Sequence, residues 1–431
     1  MNAKRLTGAA LCLLLGLAAA AQPTLEECRR LARENYPSIR RYALVEQTRQ
    51  YSLSNAAKAW MPQVAVAAQA TWQNKVPAFP DQMTALLGTM GLDMPGLRKD
   101  QYRVAVDVSQ TVWDGGQSRA DRQMVRAEAQ EQRSSLDVEM YEVESRVDEL
   151  YFGMLLLDNR IDLTRQMIGL LDSNLEKVRS LVRNGVATPS DADALEAEKL
   201  AARQTLSQLQ ASRSSYRIML GHFIGTEIAA GRPLSRPAME EPRTLVSRRP
   251  ELGAVDARIG VLDARERQVG SSVLPRFSLF GQGFYGCPGL DYFASMLGSG
   301  WSWNALVGVR MTWNLSAFYT KKNNLAGIRA ARDAARVQKE VFLFNTGLQT
   351  DRQNGEIARL REALRDDDRI VELRRAVREA AESELRNGVA DTYDLLRKIT
   401  DEHAASLARS AHEVELLKAV YELRHTVNSE I

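Results

Sequence analysis

The sequence predicts a mainly helical chain with some β-structure: two structural repeats, each of two β-strands plus long coiled-coil helices. The four strands close into a β-barrel only in an oligomer, continued by an α-helical barrel. Three observations carry this. Distant motifs recur at constant offsets, two long proline-free stretches hold a 3.5-residue apolar period, and four windows of period two are flanked by tryptophan.

Pro37 and Pro250 stand 213 residues apart, as do Pro62 and Pro275, and the two prolines of each copy are separated by 25 residues. Further along, Arg183-Asn184-Gly185-Val186-Ala187 recurs letter for letter as Arg386-Asn387-Gly388-Val389-Ala390, at an offset of 203. The change in offset places a length difference between the second proline and the following helix, where a surface loop tolerates it best. The first repeat is assigned to residues 22–232, a Pro-rich connector to 233–250 and the second repeat to 251–431.

No proline falls between Pro95 and Pro189 or after Pro288, so nothing breaks either long segment. In the first, Leu136, Met140, Val143, Val147, Leu150, Met154, Leu157, Ile161, Ile168, Leu171, Leu175, Val178 and Val182 alternate four and three apart, with Thr164 filling the gap. That period is a coiled-coil seam. A helix from Gly116 to Val182 would span roughly 100 Å, which predicts an elongated body. Asn184-Gly185 and Asn387-Gly388 predict left-handed helix stops, giving tips at 183–191 and 386–394. Thr188-Pro189 and Asp391 predict the caps of the returning helices, with Asp191 and Asp394 as first-turn acids.

Strands are expected at about 63–74, 101–113, 275–286 and 303–315. Val64, Val66, Ala68, Ala70 and Trp72 alternate with Gln63, Gln69, Thr71 and Gln73. Tyr102, Val104, Val106 and Val108 alternate with Arg103, Asp107 and Ser109. All six tryptophans lie in or beside these windows, as an interfacial aromatic girdle would have them. A soluble sandwich joined to a coiled coil has the same alternation. Strands that span lipid, however, need their edges paired, and four cannot close a barrel. A dimer gives eight strands and a filled interior; a trimer gives twelve and room for a channel. Arg103, Asp107 and Arg310 are the candidate lumen residues.

Lys4 and Arg5, the apolar run Leu6 to Leu17 and Ala18 to Ala21 read as a signal peptide over residues 1–21, with no lipid-anchor context at Cys12 or Cys28. Lys plus Arg total 57 and Asp plus Glu 54, so nothing indicates nucleic acid as a partner. Cys28 and Cys287 suggest no disulfide framework. His222, His403, His412 and His425 form no metal-ligand motif, and neither a nucleophile elbow nor a phosphate loop is present. No enzyme and no cofactor is expected.

With these motifs the mature chain resembles the TolC-like outer-membrane efflux protein family. The carriers are Thr24-Leu25-Glu26-Glu27-Cys28 leading to Asn35-Tyr36-Pro37; Trp60-Met61-Pro62; Gln110-Thr111-Val112-Trp113-Asp114-Gly115-Gly116; and the paired Arg-Asn-Gly-Val-Ala turns. The resemblance implies a homotrimeric channel in the lipid of the outer membrane with a long periplasmic extension. It would be a passive exit duct for small molecules, docking onto a periplasmic membrane-fusion adaptor and an inner-membrane transporter. A type I protein secretion duct and a pore-less periplasmic coiled-coil adaptor are the alternatives. By the same resemblance, Asp394, Arg397 and Asp391 are candidates for a periplasmic gate, and Gly185, Val186, Gly388 and Val389 for adaptor contact. Two departures are expected to matter: Ala317-Phe318-Tyr319 where the second Asp-Gly-Gly would fall, and Arg397 where the family carries an acid.

Overall fold

A computed structural model describes residues 23–91, 96–230, 233–298, 300–387 and 389–428. The signal peptide assigned to 1–21 lies outside the described residues. In chain order the elements are α1 (Leu25–Asn35), α2 (Ile39–Lys58), β1 (Gln63–Trp72), α3 (Asp81–Thr89), β2 (Asp100–Trp113), α4 (Gln117–Arg183), α5 (Pro189–Ile224), α6 (Pro250–Ser272), β3 (Arg276–Cys287), α7 (Tyr292–Leu297), β4 (Ser302–Thr312), α8 (Ala317–Arg386) and α9 (Thr392–Val427). The strands fall within three residues of the sequence expectation at every end. No described helix is long and apolar enough to cross a membrane.

The described chain divides into two compact units that cut across the two sequence repeats. One takes residues up to 43, 133–254 and 337–431; the other takes 44–132 and 255–336. Each unit therefore draws on both copies.

The first unit is helical. The predicted seam of α4 is its spine: Leu136, Met140, Val143, Val147, Met154, Ile161, Leu171, Leu175 and Val178 are all buried, as is Thr164, whose hydroxyl donates to the Arg160 carbonyl at 2.7 Å. Around its middle, Val143, Val147, Tyr151 and Met154 pack with Leu25, Cys28 and Ala32 of α1, Leu220 and Ile224 of α5, and Val414, Leu417 and Tyr421 of α9. Toward the tips, Leu171, Leu175 and Val178 pack with Leu195, Ala381, Leu385, Leu395 and Ile399. Helix α1 is also held by charge. Arg29 forks onto Asp148 at 2.7 and 2.5 Å, and Arg33 pairs with Glu144. The Pro-rich connector lies along this unit. Tyr151 and Tyr421 hydroxyls donate to the carbonyls of Ser235 and Ala238, at 2.7 and 3.1 Å.

The second unit carries a four-stranded antiparallel sheet in the order β1-β2-β3-β4. Its register pairs Ala65 with Asp107, Asp107 with Gln282 and Gln282 with Leu306. Asp114 starts α4 by accepting from the amides of Gly116 at 2.9 Å and Ser118 at 2.7 Å. Between them Gly115 turns the chain at φ +67°, and a Cβ there would sit 2.7 Å from the Leu274 Cβ. Gly115→Ala is therefore expected to destabilise the folded protein by at least the roughly 1–2 kcal/mol of a left-handed non-glycine residue, read as a lower thermal midpoint in detergent. The second junction differs from expectation. Helix α8 begins at Ala317, four residues after Trp313, just as α4 begins four after Trp113. The counterpart of Asp114-Gly115-Gly116 is thus Asn314-Leu315-Ser316, not Ala317-Phe318-Tyr319. Gly115 and Gly116 have positive φ, whereas among the described non-glycine residues only Asn428 does, so Leu315 and Ser316 follow another path.

Candidate functional site: a two-faced sheet and two matched helical tips

Following the register across the sheet assigns every strand residue to a face. One face carries Val64, Val66, Ala68, Ala70, Trp72, Tyr102, Val104, Val106, Val108, Leu279, Tyr285, Trp303, Ala305, Val307, Val309 and Met311, with the polar Asp100 and Gln110 toward its two ends. The other carries Gln63, Gln69, Thr71, Arg103, Asp107, Ser109, Arg276, Ser278, Gln282, Asn304 and Arg310, with Phe280, Phe284, Leu306 and several small residues. It is the apolar face that is open: Val307 is 87% exposed, Trp303 82% and Val66 73%. On the polar face Arg103, Asp107 and Gln282 are half-buried and Phe284 is buried. A soluble half-buried sheet has the opposite arrangement, apolar side covered and polar side wet. An outward apolar face with a polar inner wall is the pattern of a membrane barrel.

The aromatic residues fall at the two ends of that face. Trp301 lies 6.1 Å from Tyr102 and 5.2 Å from Tyr285, with Trp303 5.0 Å from Tyr285, at the end bearing α3 and α7. Trp113 and Phe277, 5.8 Å apart, mark the opposite end, where Trp313 donates its indole N–H to the Val273 carbonyl at 2.9 Å. Amphipathic rings in such bands sit at the level of lipid headgroups.

On the polar face two of the three predicted lumen residues, Arg103 and Asp107, come together through a side chain that the sequence had not singled out, while Arg310 stands apart. Arg103 donates to the Gln282 side-chain oxygen, and the Gln282 amide donates to Asp107, so glutamine bridges the two charges. The Arg103 guanidinium also stacks over Phe284 at 4.0 Å, and Arg310 over Phe280 at 4.5 Å.

The two tips close in the same way. The Val186 amide donates to the Leu181 carbonyl and Val389 to Glu384, both at 2.9 Å; these are the six-to-one bonds of a glycine-terminated helix. Gly185 has φ +72°, while Gly388 lies outside the described residues. Val186 and Val389 are 64% and 79% exposed. Thr188 and Asp191 form a reciprocal capping box at the start of α5. Of the gate candidates, Asp391 has its carboxylate engaged as the cap of α9, accepting from the Asp394 amide at 2.7 Å. Asp394 faces Lys398 at 3.9 Å, one turn along, and Arg397 is exposed. Lys398 escaped the sequence reading, although the four-residue spacing of acid and base was there to be read.

A two-faced sheet of this kind, together with long helical hairpins, is the pattern of a membrane barrel joined to a coiled coil. Residues 29–226 match the model of a family described as outer membrane efflux protein. Among solved structures, the outer-membrane channel OprN shares the fold at 18% identity, with a TM-score of 0.70 over 94% of this chain and 90% of its own. The outer membrane protein VceC from Vibrio cholerae is similar at 15% identity, with a TM-score of 0.69 over 94% of this chain and 96% of that one. The open state of the MtrE outer membrane channel of Neisseria gonorrhoeae gives 16% and 0.68, over 95% of this chain and 90% of that one. No curated protein matches. The first half of the chain is thus similar to the outer membrane efflux protein family, and the chain as a whole has the fold of these outer-membrane channels.

Proposed function

We propose that three copies of this chain form a passive exit duct for small molecules, working with a periplasmic membrane-fusion adaptor and an inner-membrane transporter. The observation that carries the trimer is the sheet itself. β1 and β4 are the outer strands, each paired on one side only among the described residues, and an unpaired edge in hydrocarbon is too costly to leave open. Twelve strands enclose a wet lumen where eight would be filled by side chains. The polar face, with Arg103, Asp107 and Arg310, lines that lumen. Two copies of one ancestral strand-and-hairpin unit, joined at 233–250, account for the architecture.

At the tips, Gly185, Val186, Gly388 and Val389 are the surface for the adaptor; the exposed valines give it an apolar contact. Asp394 and Arg397, repeated by symmetry, form the gate ring, and Asp391 supports it by fixing the first turn of α9. Purified protein should run as a trimer in detergent and conduct in planar bilayers. Asp394→Ala and Arg397→Ala should each change conductance or ion selectivity. Unchanged behaviour in both removes the gate assignment; a water-soluble monomer removes the duct.

A further inference from the structure

The charges on the polar face of the sheet are unequal. Across all four strands that face carries Arg103, Arg276 and Arg310 against a single acid, Asp107, an excess of two positive charges per chain. Asp107 is already tied to Arg103 through Gln282. Arg276 and Arg310 are both exposed, neither forms an ion pair among the described residues, and Arg310 rests over the Phe280 ring. They lie on adjacent strands, Arg310 directly opposite Ser278, which is two residues from Arg276. Phe280 and Phe284 share the same face, each beside a guanidinium. The tip does not restore the balance, since Asp394 faces Lys398 and Arg397 stands in the open.

We propose that the barrel section of this duct selects organic anions with an apolar portion, drawn by the unpaired guanidinium groups of Arg276 and Arg310 and accommodated beside Phe280 and Phe284. The inference rests on the reading of the polar face as the lumen of an oligomeric duct. A wall carrying one sign of charge, repeated around a narrow path in low-dielectric surroundings, raises the local concentration of the opposite ion. Arginine fits carboxylate, sulfonate and phosphate groups by its paired donors, while the rings take the apolar part.

The test reads the local potential directly. In a Ser278→Cys variant purified in detergent, the new thiol is modified by a sulfonate-bearing and by a trimethylammonium-bearing methanethiosulfonate, and the ratio of rates is compared with that for a free thiol. The native Cys28 and Cys287 are buried. The expected ratio favours the anionic reagent by about tenfold or more. It should collapse when Arg276→Gln and Arg310→Gln are added, and return with Arg276→Lys and Arg310→Lys. Equal rates, a preference for the cation, or a ratio indifferent to the glutamine pair overturns the inference while leaving the duct standing. A cysteine that reacts with neither reagent in a folded protein shows that the face is not a wet lumen, and the duct reading falls with it.

Discussion

Arginine at Val307 is expected to remove the protein from the outer membrane, with little assembled oligomer recovered by detergent extraction and the chain left to periplasmic proteolysis. Val307 lies midway along β4, on the apolar face, and among the described residues is the most open of the large apolar side chains at 87%. A lipid-facing arginine near the midplane of a barrel costs about 2–4 kcal/mol, and an oligomer meets that cost once per chain. Leu306, the next residue along, points to the polar face opposite Gln282, and Leu306→Arg should assemble normally. The pair of variants distinguishes a membrane barrel from a soluble sandwich. In a sandwich with its apolar side inward, Val307→Arg would also be the worse tolerated, since it buries a charge, but the wild type and Leu306→Arg would then be recovered from the soluble fraction without detergent.

The contrast between Val307 and Leu306 was half legible in the sequence. Period two identified the four strands because a half-exposed strand must alternate, and no helix shares that period. The seam of α4 was legible for a similar reason: a 3.5-residue repeat sustained from Leu136 to Val182 has one structural solution. The cross-strand register was not legible. Arg103, Asp107 and Gln282 meet across 179 and 175 residues of chain, and only the pairing of β2 with β3 brings them together. The loop helices α3 and α7 were missed because nine and six residues are too few to establish a period. At the tip, the caps at Thr188 and Asp391 could be read from local rules, as helix ends are decided by neighbours in sequence. The engagement of Asp391 in its cap separates it from Asp394 and Arg397, which the sequence grouped together.

Asp148→Ala should release α1 from the helical unit. The Asp148 carboxylate lies between a buried spine and the Arg29 guanidinium; their side chains are 10% and 14% exposed. Removing the acid leaves a largely buried cation with Glu26 at 2.9 Å on the exposed side as its remaining ion-pair partner, and breaking such a pair costs about 3–5 kcal/mol. Cys28, the residue before Arg29 in α1, reports the event. It is fully buried, and burial pushes its thiol up to about 12, with Glu27 and Asp148 adding to the effect, so in the wild type it should resist alkylation. A 3–5 kcal/mol loss of docking corresponds to roughly a hundredfold to several-thousandfold faster alkylation of Cys28. The double variant Arg29→Met/Asp148→Leu removes both charges and keeps the volume. It should restore slow alkylation and most of the lost stability, because a buried ion pair contributes little beyond an apolar pair of the same size. If the double variant were as reactive as Asp148→Ala, the salt bridge itself would be what docks α1, and the apolar contacts of Leu25, Cys28 and Ala32 would count for less than their burial implies.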